Sequence, residues 1–461
     1  MTHLARTKLL LASVLVTLLL LVAGVSAASG RSPAPTKPVR VSRCAGRTGN
    51  AEPIQAVQGR YVYEAWMGCG FFRIGFARST DRGRTFSRAA PVPSPDLPGG
   101  AAEWDPAVAV APDGTVYVSY MARPIDGSDG NENVPAVAVS VDHGKTFARV
   151  STLPLPTAND STNGNFGDRD FIAVGPDGKV YVTWDYGPPG DKVTTVGGQG
   201  GSDYFSAGEF NAVVQESSDR GTSWTQPVAI SPGFPLGGVY SAPIVVERNG
   251  ALDVLYWQHA TDPNTLALSP GHEYFTRSTD GGATWSTPVA VRPRAGTIAL
   301  PVWWIDGSLA VDPAGNLYAA WDTQHKRRDN AWLAWSTDRG RRWSKPLRVT
   351  SSKGVGSAKN ENLIEVTAAG RRQVYVAWQT TAGGSYSTYV RRLSIGHGWT
   401  SRAVKISTVY GDLESWPGDT FGLSVEPSGN ATVSWGEASG ETPHGVPEIY
   451  VASVRLPSRR R

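Results

Sequence analysis

The sequence predicts an all-β fold, a ring of four-stranded antiparallel blades forming a β-propeller. Three observations carry this expectation. One eight-residue turn sequence recurs along the chain, a strand–turn–strand unit recurs seven times, and helix-type periodicity is missing beyond an apolar N-terminal stretch. The composition agrees, because 52 Gly, 33 Pro and 16 Trp in 461 residues suit many short strands joined by tight turns.

Residues 1–27 have the form of a secretory signal peptide. Arg6 and Lys8 supply the positive start, Leu9 to Val25 the apolar core, and Val25-Ser26-Ala27 a small-residue cleavage site. The protein is therefore expected to be secreted or held at the cell surface, with no membrane span once the signal is cleaved. An uncleaved leader would act as an anchor, since its apolar run approaches a spanning length. Residues 28–37, rich in Ser, Pro and Ala, read as a linker, residues 38–456 as one propeller, and residues 457–461 as a basic tail. The net charge of +4 is small for this length and the Lys and Arg are scattered, so there is no footprint of a nucleic-acid partner. The two cysteines, Cys44 and Cys69, are an even count in an exported chain and are expected to form one disulfide.

The repeated unit is an apolar strand, a Gly turn and an alternating strand that ends in an aromatic residue. Its seven copies run Ile54–Trp66, Ala107–Tyr120, Phe171–Trp184, Ile244–Trp257, Leu309–Trp321, Leu363–Trp378 and Phe421–Trp435. Turns such as Pro112-Asp113-Gly114 and Pro176-Asp177-Gly178 are direct hairpin signals. A third strand follows each hairpin, as at 272–277, and a fourth follows that, as at Pro288–Val291. Four strands make one blade. The seventh unit ends after its third strand, at 448–455. Lys37-Pro38-Val39-Arg40-Val41-Ser42 is similar to the fourth strand Lys345-Pro346-Leu347-Arg348-Val349-Thr350. Residues near 38–43 are thus expected to close the ring as the outer strand of the last blade. Seven hairpins argue for seven blades, with six as the alternative.

Between third and fourth strands lies the turn Ser278-Thr279-Asp280-Gly281-Gly282-Ala283-Thr284-Trp285. Close copies begin at Ser79 and Ser140, looser ones at Ser217 and Ser336, and a worn one without the Asp at Ser394. The Asp can bond nearby backbone N–H groups, the Gly supplies a positive φ, and the aromatic anchors the turn in apolar packing. It is a folding device before it is anything else.

This turn resembles the Asp box, or BNR repeat, of the sialidase (neuraminidase) superfamily. The resemblance implies a propeller and a chain directed at glycans, with exo-sialidase-type glycoside hydrolysis as its sharpest form. A non-catalytic propeller that binds glycan or protein at the cell surface is the alternative, and a lyase or hydrolase for another polysaccharide is a third reading. A monomer without cofactor is expected. The stretch 126–133 offers hard oxygen ligands for calcium but lacks the spacing of a calcium loop, so no metal is assigned.

Strand direction places any site on the face where the chain approaches each inner strand. That face is rich in carboxylates and tryptophan: Glu52, Trp104-Asp105, Asp168-Arg169-Asp170, Trp304, Asp306, Trp416 and Asp419. Aromatic faces stack on sugar rings and carboxylates bond hydroxyls, although Trp also suits wedges between blades. The sialidase resemblance implies an arginine clamp for a sugar carboxylate, a Tyr nucleophile with a Glu partner, and an Asp acid/base. The candidates here are Arg123, Arg169 and Arg327 for the clamp, Tyr240 with Glu361, and Asp105 or Asp170. Phe72-Arg73-Ile74-Gly75 is similar to the family's Phe-Arg-Ile-Pro motif. It has Gly in place of Pro and stands directly before the first Asp box, which would put Arg73 on a third strand, away from the centre. Seven blades also depart from the six of the family's catalytic propellers.

Overall fold

A computed structural model describes residues 34–44, 49–70, 72–125, 133–155, 166–187, 193–195, 204–206, 211–231, 237–240, 242–260, 271–291, 307–325, 328–350, 352–353, 362–380, 386–407, 418–438 and 447–456. Seven antiparallel sheets follow one another along the chain, each with four principal strands, and they form a seven-bladed propeller. Blade 1 is Ala51–Gln58, Tyr61–Met67, Ile74–Ser79 and Ala90–Pro91; blade 2 is Ala101–Val110, Val116–Pro124, Val134–Ser140 and Arg149–Thr152. Blade 3 spans Phe166 to Ala229, blade 4 Gly237 to Ala290, blade 5 Ser308 to Lys353, and blade 6 Asn362 to Lys405. Blade 7 takes Gly422–Val425, Asn430–Ala438 and Pro447–Arg455 from the end of the chain, and Val39–Arg40 from its start.

All seven expected hairpins form in the expected places. The Gly turns work as their chemistry requires. At Pro112-Asp113-Gly114, Ala111 N donates to Thr115 O at 2.8 Å and Gly114 N to Ala111 O at 2.9 Å. Gly114 has a φ of 89°, a value that favours glycine. The second strands end in the fully buried indoles of Trp66, Trp184, Trp257 and Trp435. This packing explains Gly75, the residue that departs from the Phe-Arg-Ile-Pro pattern. A Cβ there would lie 2.3 Å from the Trp66 ring. Arg73 itself donates to the Val92 carbonyl at 2.9 Å and pairs with Glu103 at 3.3 Å.

The ring closes through its N-terminal segment. Val39 pairs with Val451 and Arg40 with Tyr450, Val41 N donates to Ile449 O at 2.8 Å, and Arg40 pairs with Glu448 at 2.7 Å. Cys44 and Cys69 form the expected disulfide. It ties the segment that completes blade 7 to blade 1. The expected signal peptide, the basic tail and most of the 126–133 loop lie outside the described residues.

Candidate active site

The inner strands of blades 1, 2 and 3 share one irregularity. Each shifts register near its start, between Ala51 and Ile54, Trp104 and Ala107, and Asp168 and Phe171. Within each bulge one non-glycine residue is left-handed: Glu52 at φ 54°, Asp105 at 47° and Arg169 at 49°. Pro53 and Pro106, which lack a ladder N–H, follow two of them. A non-glycine side chain held in this region costs about 1–3 kcal/mol, and bulges re-aim side chains. Three repeats of the same costly geometry place Glu52, Asp105 and Arg169 together at one end of the axial channel.

Their contacts cross four blades. The Arg169 guanidinium donates to Asp419 of blade 7 at 2.6 Å, and its backbone N donates to Asp105 Oδ2 at 3.2 Å. Asp105 lies close enough to Glu52 and Asp168 to act on the titration of both. Trp104 Nε1 donates to Asp168 Oδ1 at 2.8 Å, and Arg123 lies over the Trp104 ring, 5.9 Å from its centroid. The approach to blade 7 packs directly on the first bulge, since a Cβ on Gly418 would lie 2.2 Å from Glu52 N.

Crowding carboxylates out of water shifts their titration. Burial, then the nearby charges of Asp105 and Asp419, holds Glu52 well above the usual carboxylate range, against the opposing pull of Arg169. Burial and then Asp105 push Asp168 up to about 7. Asp170, 4% exposed and beside Ser119 of blade 2, is also held well above the ordinary range, first by burial. Asp168 thus keeps its proton up to near neutral pH.

Behind this cluster runs a cavity of about 180 Å³ lined by residues of all seven blades, with Asp105, Arg169 and Asp170 joined by Gln55, Ser308 and Glu365. Of the residues expected from sequence, Trp104, Asp105, Arg123, Arg169, Asp170 and Asp419 are described around this mouth. Tyr240 stands opposite Trp257 in the blade 4 strand register. Trp304, Asp306, Arg327, Glu361 and Trp416 lie outside the described residues. Glu52 and Asp168 belong to the cluster but were legible only as residues of the approach face. The Glu52-Pro53 and Asp105-Pro106 pairs were the available signal of a shared bulge. Among the described residues, no three His, Cys, Asp or Glu side chains are grouped so as to hold a metal ion.

No family model matches the chain, and no curated protein matches it. Solved structures do. An ulvan lyase, a polysaccharide lyase, is 13% identical with a TM-score of 0.53, over 92% of this chain and 98% of its own. A protein of unknown function from Dyadobacter fermentans is 14% identical with a TM-score of 0.52, over 92% and 100%. The NanB sialidase of Streptococcus pneumoniae is 10% identical with a TM-score of 0.50, over 92% and 98%. The likeness is one of fold.

Proposed function

We propose that the protein acts on a glycan at the mouth of its axial channel, with the Asp105–Asp168 pair as the acid/base. The observation that carries this is the strained carboxylate cluster, with Asp168 pushed up to about 7, set beside one arginine. Functional sites are where such strain and such shifts gather. Propellers of this fold that are named as a sialidase and as an ulvan lyase add weight to a sugar substrate.

The pair fills one role, not two. Two-carboxylate glycosidases keep their groups about 5–5.5 Å apart to retain configuration, or about 6.5–9.5 Å apart to invert it. Here the pair is assigned one role, and a second reacting group comes from elsewhere. In the exo-sialidase form of the reading, Tyr240 is that nucleophile with Glu361 as its partner. Arg169, oriented by Asp419, binds the sugar carboxylate together with Arg123 and Arg327. Trp104, Trp304 and Trp416 offer faces for sugar rings, and Asp306 bonds hydroxyls. Asp170, held well above the ordinary carboxylate range, is the further candidate donor. The disulfide suits work outside the cell, where thiols stay oxidised.

Polysaccharide elimination is the second reading, favoured by Arg169. An arginine that neutralises a uronate carboxylate acidifies the adjacent C–H; the Asp105–Asp168 pair accepts that proton, the C–O bond to the leaving sugar breaks as the C=C forms, and the pair returns the proton to the departing oxygen. The deciding experiment assays the native chain and Asp105→Asn on a fluorogenic sialoside and on a uronate-containing polysaccharide, with the unsaturated product followed by ultraviolet absorbance. Turnover lost in the variant supports the assignment. Equal turnover in both removes Asp105 from the chemistry. Glycan binding without turnover on either substrate leaves a binding propeller.

A further inference from the structure

On the face opposite the mouth, the turns of adjacent blades meet in a regular way. The left-handed Arg of a third-to-fourth-strand turn faces one acid on the first turn of the preceding blade. Arg220 pairs with Asp113 at 3.1 Å, Arg82 lies 3.6 Å from Glu426, and Arg339 acts on Glu247 through charge. A second arginine joins the Glu247 seam, where Arg277 pairs with Glu247 at 2.6 Å and with Asp253 at 2.9 Å.

The seam where the ring closes gathers more cations than these. Besides Arg82 and Glu426, Lys37, Arg84 and Arg455 line a cavity of about 410 Å³ between blades 7 and 1. Four cations and one carboxylate line it, and with Asp81 of the same turn beside Arg84 the balance is still positive. Among the described residues, no ion pair involves Lys37, Arg84 or Arg455. The volume falls in the range of small-ligand sites, about 300–1,000 Å³.

The groove is also held in shape. Thr36 N donates to Ser453 O at 2.8 Å and Ser453 N to Thr36 Oγ1 at 2.9 Å, fixing the segment that carries Lys37. Arg84 N donates to Asp81 Oδ1 at 3.1 Å, and Gly83 N to Ser79 Oγ at 2.8 Å, fixing the turn that carries Arg82 and Arg84. Ser428 and Asn430 add neutral hydrogen-bonding groups. The cations come from three separate segments of chain, so they suit several anionic groups along a polymer better than one ion.

We propose that this groove is a second binding site, for a sulfated or carboxylated polysaccharide that docks on the face away from the channel mouth. The identity of the polyanion as a glycan rests on the function proposed above. The site itself does not, and the test separates the two.

Binding of a low-mass dextran sulfate is measured by calorimetry beside unsulfated dextran of equal length. The native chain is expected to bind the sulfated chain only. Arg84→Glu and, independently, Lys37→Glu are each expected to weaken it about tenfold or more, with thermal midpoint and turnover on a short fluorogenic substrate kept. Asp105→Asn is expected to bind like the native chain. Undiminished affinity in both charge-reversed variants overturns the site. Inorganic sulfate competing as well as the polymer at equal sulfate concentration reduces it to a single-ion contact and overturns the polysaccharide. Tighter binding of single-stranded DNA of matched charge overturns the ligand class.

Discussion

Glu52, Asp105 and Arg169 occupy backbone conformations that side chains ordinarily avoid, and two of the three are acids pressed against other acids. Stability and function therefore pull apart at these residues. Asn tolerates the left-handed region, so Asp105→Asn keeps the bulge while removing a charge that acts on Glu52 and Asp168. Thermal unfolding at pH 8 is expected to show the variant more stable than the native chain by about 1 kcal/mol, the worth of roughly one pKa unit, while turnover falls. The pH dependence has a definite sign. Asp168 titrates at about 7 in the folded chain against an ordinary value of 3.8. It holds its proton more tightly when folded, so its contribution is complete below pH 3.8 and is lost as pH rises through 7. Asp168→Asn is expected to lose less stability between pH 4 and pH 8 than the native chain, as read by urea denaturation. An equal loss in both would contradict the shift.

The repeated turn shows why the fold was so legible. Its bonds are local, so its chemistry is written in consecutive residues. Asp81 accepts from Ser79 Oγ at 2.7 Å, Thr85 N at 2.9 Å and Thr85 Oγ1 at 2.6 Å, with Arg84 N at 3.1 Å. The copies at Asp142, Asp219 and Asp280 repeat the web. In the fifth copy Arg342 replaces the Thr, so Asp338 keeps only the contacts from Ser336 Oγ at 2.9 Å and Arg342 N at 2.9 Å. Asp81→Ala is expected to cost about 2 kcal/mol and Asp338→Ala about 1 kcal/mol, discounted for solvent exposure. Equal losses in denaturant unfolding would show that the web is not what holds the turn. The site was less legible for the opposite reason. Asp168 meets Asp105 and Arg169 meets Asp419 across blade boundaries, and such contacts leave no local pattern. Only the two carboxylate–proline pairs hinted that separate strands begin alike.

At the scale of the whole ring, closure depends on a short strand and one covalent clasp. Val41, Trp66, Cys69, Ile449 and Val451 share one buried cluster at the junction, so the disulfide staples a packed seam rather than a loose end. For its sequence separation of 25 residues, loop-closure entropy gives a stabilisation of about 3 kcal/mol. The double variant Cys44→Ser, Cys69→Ser is expected to show that loss by thermal unfolding, and the native chain the same loss under reductant. A chain starting after Arg43 would further bare the edge of strand Pro447–Arg455. Light scattering is expected to report association of that truncated chain, as an unpaired edge invites. The resemblance between Lys37–Ser42 and Lys345–Thr350 made this closure readable, because a fourth strand has the same neighbours in every blade.

Closure also sets an orientation. Thr36 bonds Ser453 beside the closing strand, and Arg455 ends the third strand of the same blade, so the propeller starts and stops at one corner. That corner belongs to the turn face, and the carboxylate mouth belongs to the other. A surface linkage made at position 36 or 455 is therefore attached on the face away from the mouth, as a dish is held by its stem.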